Sequence, residues 1–323
     1  TMPLSGAAAV RLGCRKVLTA AGLVYAVLLL LLCTVSSFGM AVPLLLIFGA
    51  TMGCIDVVVN IQAVIVEKAA GRRLMSGMHA LWSVGGFAGA GLFGIWVGTF
   101  SLTPLLSTII AAAIMVLVTL AASRHLLPYG GDAGGKLLAL PKGIVTFVGI
   151  IACIAFLVEG AIMDWGGVFL TTVRHFDMSL AGTAFTVFSA AMLTMRLLGD
   201  WTVQKLGQER VVIGGSLLAV AGFLLVIFAA EPVLLYLGFF AIGIGCANVV
   251  PVFFSLLGKQ RVMPVSLAVP AVSTLGYLGI LMGPAVIGFI AHQTSLYTAF
   301  GLLAFLVLLQ SIIAAYVYRH ILD

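Results

Sequence analysis

The sequence predicts an all-α integral membrane protein whose two halves form a parallel repeat. The first observation is composition. Hydrophobic residues make up 63% of the chain and charged residues only 8%, whereas a soluble domain carries about a quarter charged residues. The second is run length. Several apolar runs of about 20 residues are long enough to cross a bilayer as helices. The solid apolar block Leu28 to Leu32 lacks the period-2 alternation of a barrel strand. The third is internal repetition. Gly53-Cys54-Ile55-Asp56-Val57-Val58 returns as Gly245-Cys246-Ala247-Asn248-Val249-Val250, and Ser83-x-x-Gly86-Phe87-x-Gly89 returns as Ser273-x-x-Gly276-Tyr277-x-Gly279. Gly6 pairs with Gly199 and Gly13 with Gly207, so the four offsets are 192, 190, 193 and 194. A near-constant offset in one direction means that one half was duplicated without inversion.

Ten spans follow in order: 17–36, 41–66, 77–98, 102–123, 143–170, 179–198, 211–230, 233–257, 264–290 and 295–318. Short basic loops separate them in alternation. Arg11, Arg15 and Lys16 precede the first span; Lys68, Arg72 and Arg73 follow the second; Arg124, Lys136 and Lys142 follow the fourth. Arg196, Lys205, Arg210, Lys259, Arg261 and Arg319 keep the same parity, and only Arg174 falls on the other side, so 15 of 16 basic residues share one face. That face is expected to be the cytoplasm.

The repeat also sets expected boundaries. Residues 1–123 form the N-terminal half, 124–142 a cytoplasmic linker with Pro128, Gly130-Gly131 and Gly134-Gly135, and 143–323 the C-terminal half. The C-terminal half has two spans, 143–170 and 179–198, ahead of Gly199. Subtracting the offset puts their partners before or across Thr1, so the expectation is a twelve-helix protein whose first helix and most of its second lie outside this chain.

The loop Gly6-Ala7-Ala8-Ala9-Val10-Arg11-Leu12-Gly13-Cys14-Arg15-Lys16 matches G-x-x-x-D-R-x-G-[RK]-[RK] at Gly6, Arg11, Gly13 and Arg15, with Val10 in place of the acid and Cys14 in place of a base. A second copy, Arg196-Leu197-Leu198-Gly199-Asp200 through Gly207 and Arg210, keeps an Asp. Two copies of this loop at the repeat offset resemble the major facilitator superfamily. The resemblance implies two six-helix halves that rock against each other, with these loops in a gating role. Within the superfamily, Gly53-Cys54-Ile55-Asp56-Val57-Val58-Val59-Asn60 resembles the G-C-x-E-x-x-x-N of the sugar/proton symporter branch that includes fucose permeases. The stretch Asn248 to Ser255 resembles the same branch.

Three carboxylates lie within apolar spans. Asp56 is 15 residues into its span and 11 before Glu67, near mid-membrane at about 1.5 Å of rise per residue. A carboxylate there costs at least about 2.5–3.5 kcal/mol unless protonated, solvated or paired. Burial also raises a carboxyl pKa toward neutrality, which suits proton binding and release. Asn60 stands one turn further on the same face. Glu159 lies roughly 24 Å along its helix from Gly143, still in the hydrocarbon region. Asp56 and Glu159 are the expected proton-coupling residues, with Asn60, Asn248, Asp164 and Ser255 along the solute path. A structural polar pair is the alternative for Asp56, and an interfacial anchor beside Trp165 the alternative for Asp164. His79 and Trp82 read first as interfacial residues. The glycines Gly85, Gly86, Gly89, Gly91 and Gly94, and the pattern Gly279-x-x-x-Gly283-Pro284, read as close helix packing.

Other classes are disfavoured. There is no G-x-x-x-x-G-K-[ST] loop for ATP hydrolysis, no Ser/His/Asp set, and no metal-spaced cluster. The chain therefore reads as a non-enzyme with no cofactor and no metal. Cys14, Cys33, Cys54, Cys153 and Cys246 lack paired spacing and read as free thiols. The net charge of +6 is spread over short loops and does not indicate nucleic acid. The expected partners are a small polar solute, protons and membrane lipid, around a monomer in the bacterial inner membrane. An efflux antiporter of the same superfamily and a non-transporting membrane sensor are the alternatives. A five-plus-five inverted repeat fits the number of spans but not the direction of the repeat.

Overall fold

A computed structural model describes residues 1–131 and 140–320. Gly134, Gly135 and Lys136 of the expected linker lie outside the described residues. Among the described residues, ten helical stretches are long and apolar enough to cross a membrane; each overlaps one predicted span, the first beginning well before it, at Met2. The backbone clusters into two compact units. The first holds Thr1–Ala69, Leu81–Leu140 and Pro264–Ala271; the second holds Ala70–Ala80, Pro141–Met263 and Val272–Asp323. Each unit thus includes a short segment from the other half of the sequence, and the two exchanged segments, 70–80 and 264–271, are themselves repeat equivalents.

In the first unit, α1 (Met2–Leu32) and α2 (Phe38–Ala70) are joined by a short turn. The sequence predicts a loop from Gly6 to Lys16; the structure makes it helical apart from a single break at Gly13, with φ 83° and ψ 152°. In the second unit, α7 (Gly199–Leu206) and α8 (Gln208–Phe228) are separated by Gly207 at φ 86° and ψ 154°. The repeat therefore holds down to one backbone conformation. A β-carbon is disfavoured at positive φ, which is why glycine stands at both. At Gly13 a β-carbon would also strike the Pro128 carbonyl, whereas at Gly207 it would meet open space.

α4 (Pro104–Ser123) starts with Thr103 accepting from the Leu106 N–H at 3.2 Å and proline in its first turn. Its far end is closed by Arg15. Arg15 Nε donates to the Leu126 carbonyl at 3.0 Å and Nη2 to that of Arg124 at 3.1 Å. A cation at a helix C-terminus also meets the negative end of the helix dipole.

The second unit contains α5 (Ile144–Val168), which runs on through a π-helical turn (Phe169–Val173), then α6 (Thr183–Leu197), α7, α8, α9 (Pro232–Ala247), α10 (Val249–Leu257) and α12 (Leu296–His320). It also takes most of α11 (Val265–Gln293). Phe169, Phe188, Phe223, Phe239 and Phe300 are fully buried at its centre, and the Phe169 and Phe300 rings lie 4.4 Å apart. Because lipid tails are as apolar as these side chains, close packing rather than water exclusion must hold the helices together. Glycines provide it. Gly215 and Gly245 abut each other's backbones, as do Gly222 and Gly238, across α8 and α9. On α11, Gly276 faces Phe156, Gly279 the Cys153 carbonyl and Gly283 Leu157, all on α5.

One packing expectation fails. On α3 (Met75–Gly98), Gly85, Gly86, Gly89, Gly91 and Gly94 have nothing within 4 Å of a built β-carbon. Gly276 and Gly279, the equivalents of Gly86 and Gly89, are covered by α5, and no described residue covers this part of α3 in that way.

Arg174, the basic residue outside the shared face of the other basic residues, bonds locally through one terminal nitrogen. Nη2 donates to the carbonyls of Val226 and Ile227 at 2.9 and 2.7 Å, closing the C-terminus of α8. The guanidinium also stands 5.7 Å from the Phe169 ring centre and 5.5 Å from that of Tyr297.

Two expected outcomes follow from these features. Gly13→Ala should lower the thermal unfolding midpoint in detergent more than Gly207→Ala, because the first adds a clash to a strain of about 1–3 kcal/mol that both share; equal shifts would contradict this geometry. A cysteine replacing exposed Lys205 in an otherwise cysteine-free protein should react with an impermeant maleimide only after the membrane is opened; labelling in intact cells would reverse the orientation.

Candidate functional site

The first unit places Asp56 half-buried on α2, with buried Asn60 one turn on. Asn60 Nδ2 donates to the Asp56 carbonyl at 2.9 Å and reaches its Oδ1 at 3.5 Å. The i, i+4 partnership read from the sequence is therefore present, and its main bond goes to the backbone. α2 runs unbroken through this stretch. An apolar groove of about 430 Å³ lies beside it, lined by Thr1, Leu4, Ser5, Ala8, Val24 and Cys54 among others, and Asp56 and Asn60 do not line it.

The repeat equivalent of Asp56 is Asn248, and here the second unit departs from the first. Asn248, at φ −101° and ψ 0°, interrupts the helix between α9 and α10. The cause lies three residues on. Position 59 is valine, but its equivalent is Pro251. Proline has no N–H to give the carbonyl four residues back, so the Ala247 carbonyl loses its helical donor. Arg196 takes that place, its Nε donating to Ala247 O at 3.2 Å. Asn248 Nδ2 donates to the Met195 carbonyl at 3.3 Å. Its Oδ1 is buried against Gly199 and accepts no hydrogen bond from the described residues.

Arg196, expected at the head of the second gating loop, lies at the end of α6 as a buried side chain, 5% exposed. Its Nη2 lies 3.5 Å from Glu159 Oε2, whose side chain is 31% exposed. At 3.5 Å the pair is longer than a tight charge-assisted bond of about 2.7–2.9 Å. The second unit thus joins an intramembrane carboxylate, a buried guanidinium and a helix break. Sequence alone did not connect them, though Pro251 is the signal that a free carbonyl lies at 247.

Asp200 also has a defined place. Its Oδ1 accepts from the Ser76 N–H at 3.0 Å and its Oδ2 from the Gly77 N–H at 2.8 Å. It therefore caps the first turn of α3, where a negative charge meets free N–H groups and the positive end of the helix dipole. Gly199 lets α7 approach Ser76, and Gly6 plays the same part against Ser266 and Pro270 of α11. Ser76 and Ser266 are themselves repeat equivalents. The first-half loop has Ala7 where the second has Asp200, so it makes the close approach without the carboxylate. Arg11 is exposed at the surface.

The remaining candidates separate. Ser255 is buried and its hydroxyl accepts from Arg73 Nη1 at 3.0 Å and Gln208 Nε2 at 3.3 Å, while Lys259 donates to Gln208 Oε1 at 3.1 Å. Gln208, which sequence reasoning passed over, ties together α8, α10 and the basic loops. Asp164 is exposed, and its neighbour Trp165 donates to the Pro284 carbonyl at 3.0 Å. His79 is half-buried beside Phe254, with ring centres 5.9 Å apart, while Trp82 is exposed.

The family profile described as Major Facilitator Superfamily matches residues 1–259 and 148–321. An uncharacterized MFS-type transporter of Yersinia pestis is 45% identical over 310 residues, covering 95% of this chain and 80% of the relative. Among solved structures, the human organic anion transporter MFSD10 superposes with a TM-score of 0.75 at 20% identity, over 97% of this chain and 80% of that one. The Escherichia coli fucose:proton symporter FucP gives 0.75 at 17% identity, over 98% and 87%.

The cap on α3 makes a testable statement. Asp200→Ala should destabilise the protein by about 0.5–2 kcal/mol, the range for losing a helix cap, with Asp200→Asn in between. Unfolding in detergent would check it, and an unchanged Asp200→Ala midpoint would show that the α3 N-terminus is satisfied otherwise.

Proposed function

The chain belongs to the Major Facilitator Superfamily, and from that premise we propose that it is a proton-coupled secondary transporter of a small, polar, sugar-like solute. It works by alternating access in the bacterial inner membrane, surrounded by lipid and as a monomer. The observation that carries this reading is Asp56. A carboxylate in the middle of an apolar helix, one turn from a buried amide, is an arrangement that membranes tolerate mainly where a proton or solute is handled. Asp56 is the principal proton-binding group, Glu159 the second, and Asn60, Asn248, Asp164 and Ser255 contribute to the solute path. The loops bearing Gly6, Arg11, Gly13, Arg15, Gly199 and Asp200, with Arg196 at the head of the second, form the gating elements. The match of Gly53 to Asn60 with the sugar/proton symporter pattern supports the solute class, as does fold likeness to a fucose:proton symporter.

Protons drive accumulation only if a group on the path can change charge. Asp56→Asn keeps shape and polarity but cannot titrate. In proteoliposomes it should lose solute accumulation driven by a pH gradient while retaining solute exchange. If that variant still concentrates the solute, coupling resides elsewhere and Glu159 becomes the primary carboxylate.

A further inference from the structure

The first unit carries an apolar groove that takes no part in the proton and solute path. We propose that it binds an anionic phospholipid of the cytoplasmic leaflet, with one acyl chain in the groove and the phosphate at Lys16. The proposal does not depend on which carboxylate couples protons or on which solute is moved.

The groove lies where α1 breaks at Gly13. The arm before the break supplies Thr1, Leu4, Ser5, Ala8 and Leu12; the arm after it supplies Lys16, Val17, Ala20, Ala21 and Val24. Ala50, Thr51 and Cys54 of α2 complete the lining. The small side chains of Ala8, Ala20 and Ala21 leave the space open. At the repeat offset of Gly6 and Gly199, the second copy has Trp201 where the first has Ala8. Three hydroxyls line the groove, and backbone carbonyls take the hydrogen of each. Thr1 Oγ1 donates to Ala50 O at 3.3 Å, Ser5 Oγ to Thr1 O at 3.2 Å and Thr51 Oγ1 to Ile47 O at 2.7 Å. A polar solute would leave its hydrogen bonds to water unreplaced on such a surface. A hydrocarbon chain has none to lose. The length also fits. Lys16 and Val24 are about 12 Å apart along a helix, and Thr1 and Leu12 about 16 Å. One leaflet of a hydrocarbon core of about 30 Å is about 15 Å deep. The groove therefore runs from the membrane surface at Lys16 to mid-membrane beside Cys54, two residues before Asp56.

Charge selects the headgroup. Residues 1–55 contain Arg11, Arg15 and Lys16 and no Asp or Glu. Arg15 is spent on the end of α4. Lys16 is exposed and makes no ion pair with a described residue. The second copy carries its own counter-charges: Arg210, the equivalent of Lys16, follows Glu209, and Asp200 stands where the first copy has Ala7. The first copy leaves its lysine to an anion from outside. On the cytoplasmic side, where the basic residues place this end of α1, the anion at that depth is a lipid phosphate.

The test uses the full chain in lipid nanodiscs that contain a small share of phosphatidylglycerol bearing a photoactivatable diazirine at the end of one acyl chain. Adducts would be mapped by mass spectrometry, with a phosphatidylcholine of the same tail as the comparison. Leu117 and Val118, exposed on α4, report contact with bulk lipid. The expected result is that phosphatidylglycerol labels residues 50–54, relative to 117–118, well above phosphatidylcholine. Lys16→Gln, at an exposed position, should lower that ratio about fivefold, the weight of one lysine at an anionic surface. Ala8→Trp, which installs the residue of the second copy, should remove the adducts at 50–54 and keep those on α4. Equal ratios for the two headgroups, or a ratio unchanged by Lys16→Gln, would overturn the anionic site and leave a groove open to any lipid. Adducts at 50–54 that survive Ala8→Trp would overturn the groove as their origin. Labelling on α4 with none at 50–54 would also overturn the proposal, and would mean that an apolar helix or a second copy of the chain covers the groove.

Discussion

Inside a bilayer, a backbone carbonyl that loses its helical partner cannot turn to water, and the second unit is organised around one such carbonyl. Pro251 withdraws the N–H that Ala247 would otherwise receive. The helix breaks at Asn248, and the deficit is met by Arg196, a residue that would itself be intolerable in an apolar core without partners. Arg196 in turn brings Glu159 within 3.5 Å. A proline, a guanidinium and a carboxylate far apart in sequence thus become one unit, because each supplies what another lacks. The first unit has no such requirement at the equivalent place. Val59 leaves α2 continuous, and Asn60 can bond back to the Asp56 carbonyl within a single helix.

Helix ends are handled by the same rule. Arg174 closes α8, Arg15 closes α4, and Asp200 opens α3. In each case a charge of the right sign meets a helix terminus, which satisfies orphan backbone groups and the helix dipole at once. This explains how charged residues near an apolar assembly are tolerated in so few positions. The two glycine breaks at 13 and 207 set where the chain turns between helices, and they do so with nearly the same backbone angles.

Packing separates the two units. In the second, glycines on α8, α9 and α11 press against neighbouring backbones, and a set of buried phenylalanines fills the middle. In the first, the glycine face of α3 meets none of the described residues. The same sequence pattern, Ser-x-x-Gly-aromatic-x-Gly, therefore has different surroundings in the two halves. A pattern of small residues records the capacity for close approach and says nothing about which surface approaches.

The sequence by itself determined the ten membrane-length helices found among the described residues, and the direction of the repeat. These depend on local quantities: apolar run length, basic loops, and glycines where φ must be positive. It also marked Asp56, Asn60 and Glu159, because an ionisable or amide group in a long apolar run stands out without any knowledge of its neighbours. What only the tertiary structure decided is which distant groups meet. Arg196 looks like a loop cation because it stands three residues before Gly199, yet its side chain reaches into the packed unit. The Ser255 hydroxyl meets Arg73 and Gln208, partners that no sequence spacing indicates. Asp200 looked like one more loop charge, yet it caps a helix more than 120 residues away in the chain. Partner choice among buried polar groups is settled by three-dimensional proximity, since in an apolar solvent each must bond to whatever the fold brings within reach.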